Sequence, residues 1–286
     1  MQTVPGAHAL ITGASQGLGR ALAEECARRR MHVLLVALPQ TGLRELSAEI
    51  AARYGVESHY LEQDLTDPSG PEQVAHWVAA HRWNLRVLIN NAGVSTHGLF
   101  EDTSLESNER VMNLNMAAVV RATHLLIPTL KSHRPSYILN VASLAAMGPM
   151  PYMPVYAASK AFVFSFTLAL RQELQRSGIR VSVLCPGGMP TNGESAQRIG
   201  ANGWGGRLSA VRPGRVARIA LARTLRGRAC IIPGWLNRIV AVVSSVTPRT
   251  LFTRSAGSQF ERAELRLQRR SAAPQPAAAG MSVAWR

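Results

Sequence analysis

The chain contains only three cysteines, Cys26, Cys185 and Cys230, which are odd in number and lie far apart. Because neither a disulfide framework nor a CxxC metal pattern can be built from them, we expect a reducing compartment and no metal site. Aromatic residues make up only 6% of the 286 residues, although 47% are hydrophobic. This composition excludes disorder as the main state and predicts one globular domain with a large buried core.

Segments for export and for membrane insertion are also lacking. Residues 1–6 contain no basic stretch followed by an apolar one, so the sequence predicts no secretory signal. The best candidate for a membrane span, residues 239–246, has about half of the roughly 20 apolar residues that a bilayer requires. We therefore expect a cytoplasmic protein, and we leave a peripheral membrane contact open.

Lysine is rare, and the positive charge is unevenly distributed. Of 32 basic residues only Lys131 and Lys160 are lysines, and the net charge is +15. Residues 201–286 hold fifteen arginines and two glutamates, a net charge of +13, which leaves +2 for residues 1–200. We interpret this as a basic C-terminal end rather than a nucleic-acid site. A lysine kept in such a chain is a candidate for chemistry, since a compact ammonium has uses that a guanidinium lacks.

Short apolar runs alternate with helical patterns over most of the chain. Helical spacing is seen in residues 17–30 and 42–54. The candidate strands are residues 4–12, 32–37, 57–60, 87–90, 137–141 and 180–185. Such alternation is typical of βαβ units that build a parallel sheet covered on both faces. The sequence therefore predicts an α/β fold, a Rossmann-like doubly wound parallel sheet.

The alternation stops after about residue 234. We expect one domain over residues 1–235, an amphipathic extension over residues 236–254, and a solvated, mobile basic tail over residues 255–286. Two interpretations of the apolar, arginine-edged stretch over residues 235–254 stay open. We prefer an apolar flap over a substrate entrance or a dimer surface to a segment that lies on anionic lipid.

A glycine-rich turn joins the first predicted strand to the first predicted helix. Residues 12–19 read TGASQGLG. Glycines at this point let the backbone approach a pyrophosphate at the positive N-terminus of a helix, although they also suit an ordinary tight turn. With its TGxxxGxG spacing, the sequence resembles the non-extended branch of the short-chain dehydrogenase/reductase family.

Further segments match that family in the expected order: Asp64-Leu65, the NNAG segment at residues 90–93, Ser143 followed thirteen residues later by the YxxxK motif at Tyr156, and Pro186-Gly187. The resemblance covers residues 7–235 and implies an NAD(P) cofactor and similarity to 3-oxoacyl and steroid-type carbonyl reductases. The cofactor-binding positions that it implies are Thr12, Gly13, Ser15, Gln16, Gly17, Leu18, Gly19, Asp64, Leu65, Asn91, Ala92, Gly93, Tyr156, Lys160, Pro186, Gly187 and Thr191.

The candidate catalytic residues are Ser143, Tyr156, Lys160 and Asn115. Tyr156 and Lys160 are four residues apart and would share one helix face. We expect the ammonium to lower the pKa of the phenol, so that Tyr156 acts as general acid or base. Ser143 would hydrogen-bond the substrate oxygen, and Lys160 would also hold the cofactor ribose. By resemblance Asn115 completes a water-linked proton relay, with Asn113 as the competing candidate.

The end of the second predicted strand bears on the choice between NADP(H) and NAD(H). An acidic residue there would bind a free ribose 2′-hydroxyl, but this strand ends in Val36-Ala37-Leu38-Pro39. We therefore favour NADP(H). The basic residue that NADP members of the family often carry is replaced here by Leu38 or Gln16, which leaves Arg20 or Arg44 to reach the phosphate.

Two segments indicate the substrate class. Residues 146–154 contain methionines and prolines and predict an apolar pocket wall, and glycine-rich residues 190–212 lie where the family keeps its substrate lid. We expect a reductase or dehydrogenase of a hydrophobic ketone or secondary alcohol, 3-oxoacyl- or steroid-like. The resemblance implies a homodimer or homotetramer. The alternative is a non-catalytic, cofactor-binding regulatory or scaffold protein that engages a membrane or an acidic partner through its basic C-terminal part.

Overall fold

The computed structural model describes residues 4–189 and 211–271, and within them a seven-stranded sheet organises the chain. All neighbouring strands are parallel, and their order is β3-β2-β1-β4-β5-β6-β7. The predicted doubly wound α/β fold is thus confirmed. A two-residue seventh strand is the one strand of the described sheet that the sequence pattern did not predict, because so short a run has no periodicity.

The strands are β1 (His8–Thr12), β2 (His32–Ala37), β3 (Ser58–Glu62), β4 (Leu85–Asn90), β5 (Ser136–Val141), β6 (Ile179–Leu184) and β7 (Cys230–Ile231). The α-helices are α1 (Gly17–Arg28), α2 (Leu43–Tyr54), α3 (Gly70–Ala80), α4 (Leu105–Met112), α5 (Ala118–Ser132), α6 (Pro154–Leu174), α7 (Pro213–Leu225), α8 (Trp235–Val246) and α9 (Arg249–Ser271). A π-helical turn, Asn113–Ala117, joins α4 to α5, and 3-10 turns occupy Leu144–Met147 and Gln175–Ser177.

Local sequence explains where several helices begin and end. Pro154 opens α6, where its fixed φ suits the first helical turn and its missing N–H costs nothing. The Ser104 hydroxyl caps α4 by accepting from the Ser107 N–H. Gly55 ends α2 in the left-handed conformation at φ 63°, which glycine adopts without strain.

Two apolar layers cover the sheet, because successive residues of each strand point to opposite faces. Ala9 and Ile11 of β1 face a core built with α1, α2 and α7. Leu10 faces the second core, which α3, α5 and α6 complete. The strand order reverses between β1 and β4, and parallel sheets of this kind open a crevice at the carboxyl ends of the strands on either side of such a point.

The C-terminal part departs from the predicted boundaries. We expected a mobile tail from residue 255, whereas α9 runs from Arg249 to Ser271 and so continues into that range. The arginines, leucines, glutamates and alanines of this stretch are good helix formers, and Phe252 anchors it beside Gly148. The low-complexity residues 274–280 lie outside the described residues. Within the described part of the chain, no helix combines the length and hydropathy needed to cross a membrane.

Candidate active site

A cleft of about 300 Å³ lies at the carboxyl ends of β1, β2 and β4. The predicted cofactor-binding residues that line it are Gly13, Ser15, Gln16, Gly17, Leu18, Gly19, Asp64, Leu65, Asn91, Ala92 and Gly93. The cleft is also lined by Ala37 and Leu38, at the strand end that bears on the choice of cofactor. Six further lining residues were not predicted from the sequence: Thr41, Gln63, Thr66, Val94, Arg110 and Leu114. These six had no sequence signal, since four lie in loops, Arg110 lies in α4 and Leu114 lies in the π-helical turn.

The floor of the cleft requires glycine at two positions. Gly13 has φ +64°, and a Cβ there would lie 2.8 Å from the Cα of Ala92. A Cβ on Gly19 would lie 1.9 Å from the carbonyl oxygen of Gly13. Backbone therefore forms the wall where α1 begins, and no acidic residue stands in the first turn of that helix. These features fit a dinucleotide pyrophosphate, which needs close backbone approach and a positive helix end.

Thr12 supports this floor from beneath and is not a lining residue. Its side chain is buried, and its hydroxyl oxygen accepts from the backbone N–H groups of Asn91 and Ala92, each at 3.0 Å. The Asn91 side-chain amide donates in return to the carbonyl oxygen of Thr12 at 2.9 Å. These bonds join the ends of β1 and β4, so they hold the two sides of the cleft in register.

Asn115 lies in the π-helical turn and is fully buried, whereas Asn113 of the same turn is exposed. Its amide oxygen accepts from the Val94 N–H at 3.0 Å, and its amide nitrogen donates to the Val94 carbonyl at 2.9 Å and to the Ser159 hydroxyl at 3.0 Å. A single π turn widens the helix by one residue and is frequent at functional sites. Here it directs Asn115 into the protein beside the loop that follows β4.

Ser143 and Tyr156 are in direct contact. Ser143 caps the 3-10 turn by accepting from the Ala145 N–H at 3.1 Å, and its side chain also hydrogen-bonds the Tyr156 hydroxyl. Burial raises the pKa of Tyr156 above its ordinary value, against the opposing effect of this hydrogen bond. Our expectation that Lys160 lowers this pKa is wrong in the structure, because burial raises it and the group that opposes burial is Ser143, while the ammonium lies 5.8 Å from the ring centroid.

Lys160 is buried on the same face of α6 as Tyr156. Its ammonium donates to the carbonyl oxygen of Val141 at 3.1 Å, and burial lowers its pKa to about 8. A Cβ on Gly93 would lie 3.2 Å from this ammonium and 3.0 Å from the amide oxygen of Asn115. Because Gly93 also lines the cleft, it connects the cleft directly to the lysine and the asparagine.

The remaining predicted contacts are only partly described. Pro186 accepts from the Leu144 N–H at 3.0 Å, and Gly187 lies so close to Asn237 of α8 that a Cβ would come within 2.7 Å of its amide. Neither residue is among those lining the cleft. Thr191 and most of the expected lid fall in residues 190–210, outside the described residues.

Neither proposed phosphate-binding arginine lies in the cleft. Arg20 is bound to Glu24 at 3.0 Å and to Glu49 at 2.7 Å, and Arg44 lines a separate surface depression on α2. The arginine that does line the cleft is Arg110. Ala37 and Leu38 at the end of β2 carry no carboxylate. The one carboxylate among the described lining residues is that of Asp64, whose oxygen accepts from the Thr66 N–H at 2.8 Å.

The chain is similar in sequence to known oxidoreductases. A family model described as short chain dehydrogenase matches residues 7–201. The ketoacyl reductase HetN of Nostoc sp. is 34% identical over 187 residues, which cover 65% of this chain and 65% of that protein. The very-long-chain 3-oxoacyl-CoA reductase of Anas platyrhynchos is 33% identical over 187 residues, covering 63% and 59%. Each match therefore spans less than two thirds of the relative's length.

Solved structures extend the likeness beyond the matched residues. A short-chain dehydrogenase from Sphingobium yanoikuyae in complex with NADPH superposes with a TM-score of 0.71 at 28% identity, over 96% of this chain and 98% of that chain. A 7beta-hydroxysteroid dehydrogenase structure gives a TM-score of 0.77 over 88% and 97%. At 24% identity, the second likeness concerns the fold alone.

Proposed function

The chain belongs to the short-chain dehydrogenase/reductase family, and from this premise we propose that it is an NADP(H)-preferring oxidoreductase that interconverts hydrophobic ketones and secondary alcohols. The observation that carries the proposal is the junction at Gly93. There a glycine-floored cleft meets the buried Lys160 and Asn115. The Lys160 ammonium in turn lies 5.8 Å from the ring centroid of Tyr156, whose hydroxyl hydrogen-bonds Ser143. A fold match alone would not carry it, because function lies in the site.

The lining residues of the cleft would hold the dinucleotide, with the pyrophosphate at the start of α1 and the adenine near Asp64 and Leu65. When bound, its nicotinamide supplies or accepts a hydride. The preference for NADP(H) rests on the end of β2, where Ala37 and Leu38 offer no carboxylate to repel a 2′-phosphate. An NADPH complex of the Sphingobium relative supports the same choice.

Tyr156 would handle the proton at the substrate oxygen. With its pKa raised, its phenol stays protonated at neutral pH and is ready to donate to a carbonyl oxygen during reduction. In the oxidation direction the same oxygen would take the proton from the alcohol. Ser143 would hold the substrate oxygen through a second hydrogen bond. Lys160, charged below a pH of about 8, would stabilise the phenolate that remains after proton transfer. A proton relay through Lys160 and Asn115 would then return a proton to this phenolate.

The proposed substrate is apolar. Residues 144–153 connect Ser143 to α6, and both α8 and Phe252 of α9 pack against this segment. Methionines and prolines give this wall no charge with which to bind a sugar phosphate. The ketoacyl and 3-oxoacyl-CoA reductases among the relatives support a 3-oxoacyl-like substrate.

We further propose a homodimer or homotetramer through the helices that follow β4 and β5. Met112 of α4, Leu125 of α5 and Phe162 of α6 expose apolar side chains on these helices. Burying such surface between copies is favourable.

The test is a fluorescence titration of the purified chain with NADPH and NADH, followed by turnover assays on hydrophobic ketones and 3-oxoacyl thioesters. We expect tighter binding of NADPH than of NADH, together with oxidation of NADPH by at least one ketone. Binding of neither nucleotide would overturn the proposal and favour the scaffold alternative. Binding without turnover on any of these substrates would overturn the proposed reaction while leaving the cofactor site in place.

A further inference from the structure

Helix α8 exposes its apolar face to solvent and turns polar and small residues toward the protein. Its exposed large apolar residues form one broad stripe, which we call the α8 stripe: Trp235, Ile239, Val240, Val242, Val243 and Val246. Trp235 is 72% exposed and Val246 is 75% exposed. The face turned toward the protein instead carries Asn237, Ala241 and Ser244, all buried. An amphipathic helix with this orientation leaves its apolar side for a partner.

A group of arginines adjoins the stripe. We call Arg223, Arg226, Arg228 and Arg238 the arginine cluster, since together they line a surface depression beside Cys230. Among the described residues no carboxylate forms an ion pair with any of them. Burial and the charges of the other three lower the pKa of Arg223. The cluster is therefore an uncompensated positive field at the edge of an apolar surface.

We propose that the α8 stripe and the arginine cluster together form a docking surface for an anionic lipid membrane, with the helix lying in the interface plane. Apolar residues on one side and arginines at the border are what such a surface requires. At 12 residues, α8 is too short to span a bilayer, which agrees with a surface position.

Charge argues against a second copy of the chain as the occupant. A twofold contact through the stripe would use the same patch on both copies and bring two arginine clusters of like sign close together. An anionic lipid surface instead complements the cluster, and each arginine near it strengthens binding. Exposed apolar residues on α4, α5 and α6 offer a separate surface for contact between copies.

Docking would orient the candidate active site. Helix α8 packs against the 3-10 turn that begins after Ser143, and its Asn237 lies against Gly187. The membrane would therefore lie on the side of the molecule that carries the loop between Ser143 and Tyr156. An apolar ketone would then reach the site from the lipid phase; this consequence rests on the proposed function.

Vesicle flotation of the full chain tests the docking surface directly. The probes are vesicles of phosphatidylcholine alone and of phosphatidylcholine mixed with phosphatidylglycerol. The stripe variant is the double substitution Val242→Ser and Val246→Ser, with Tyr60→Ser at the opposite edge of the sheet as its control. The charge variant is Arg238→Gln, with the exposed Arg176→Gln as its control. Melting temperature, NADPH titration and sedimentation accompany each variant.

We expect the parent chain and both controls to float with the anionic vesicles and to release them at high salt. The stripe variant should bind at least tenfold less. Arg238→Gln, which removes one charge at an exposed position, should bind about fivefold less. A failure of NADPH binding in the parent chain would count against the proposed function and not against the docking surface.

Four results would overturn the docking surface, and three of them concern vesicle binding alone. They are no binding of the parent chain to anionic vesicles, equal binding to both vesicle types, and unchanged binding of both the stripe and the charge variants. If the stripe variant lowers the oligomeric state while Arg238→Gln binds vesicles normally, the stripe is a contact between copies and the proposal is wrong.

Discussion

Helices α6 and α8 both break the rule that apolar side chains lie inside and charged ones outside, and they break it in opposite ways. Helix α6 buries the ammonium of Lys160, whereas α8 exposes the valines of its stripe. The buried charge is compensated within the chain, since it donates to the Val141 carbonyl. The exposed apolar face has no such compensation. The first exception therefore builds an internal site, and the second points outward to a partner.

The two exceptions carry two different free-energy costs. Desolvating an ammonium is expensive and persists only where hydrogen bonds or nearby charges offset it, and here it lowers the pKa of Lys160 to about 8. Exposing valines costs the hydrophobic free energy that burial would have provided. Substitutions in the two helices test whether each cost is tied to a function.

Removing the buried charge of α6 should have the largest effect. We expect Lys160→Met to lower kcat by about 10²- to 10⁴-fold, the range typical of a lost acid–base group. Lys131→Met, at the only other lysine and on the exposed end of α5, is the matched control and should leave kcat unchanged. Equal losses in both variants would mean that Lys160 has no special role.

The pH profile sharpens this prediction. Because the pKa of Lys160 is lowered to about 8, its ammonium is lost as the pH rises through that value. Ketone reduction by the parent chain should therefore fall above a pH of about 8. A kcat/KM profile that stays flat from pH 7 to roughly 9 would contradict the role of the charged lysine.

His8 is a buried ionisable group outside the candidate active site. His8 at the start of β1 stacks near His32 and Trp83, lies 3.7 Å from the Glu57 carboxylate and faces His59. Burial, followed by the charge of His32, lowers the pKa of His8 from 6.5 to about 4, while Glu57 opposes this shift. Between these values the unfolded chain binds the proton and the folded chain does not, so stability rises with pH.

The expected loss of unfolding free energy from pH 6.5 down to 4 is up to about 3 kcal/mol from His8. Urea unfolding across this range measures it. His8→Phe should flatten the dependence, whereas His124→Gln, on the exposed side of α5, should leave it unchanged. If His8→Phe retains the full pH dependence, His8 is not its source.

Matched valine substitutions give the smallest effects and test the two helices directly. Val163 of α6 is 1% exposed, and Val242 of α8 is 63% exposed. We expect Val163→Ala to lower the unfolding free energy by about 2 kcal/mol, because it leaves a cavity. Val242→Ala should change it by less than about 0.5 kcal/mol in dilute, monomer-favouring solution. A similar loss for both would contradict the exposed position of Val242 in the single chain.

The sequence predicted the sheet well, because runs such as HVLLVA in β2 are buried on both faces and read as continuous apolar segments. The spacings of the glycine turn and of the YxxxK motif reflect local backbone geometry, so they indicated the turn before α1 and the shared helix of Tyr156 and Lys160. The boundaries of the C-terminal helices were less predictable. An arginine-rich composition is typical of a disordered tail, and the sequence does not reveal a tertiary contact such as that of Phe252 with Gly148.

Other features depend on tertiary contacts that no spacing reveals. The pattern of α8 predicts an amphipathic helix but not which face is covered. The sign of the Tyr156 pKa shift depends on how much water its surroundings exclude. Arg20 was a candidate for binding a phosphate, but in the structure its guanidinium donates to the carboxylate of Glu49, 29 residues away. In each case a distant part of the chain decides the outcome.

The central claim is that Tyr156 transfers the proton in a reaction carried out at the glycine-floored cleft. Single-turnover kinetics of Tyr156→Phe, with NADPH and a ketone that the parent chain reduces, test it most directly. We predict that NADPH binding changes less than about twofold while the rate of reduction falls by at least about 10²-fold. A Tyr156→Phe variant that binds NADPH and reduces the ketone at the parent rate would contradict the account.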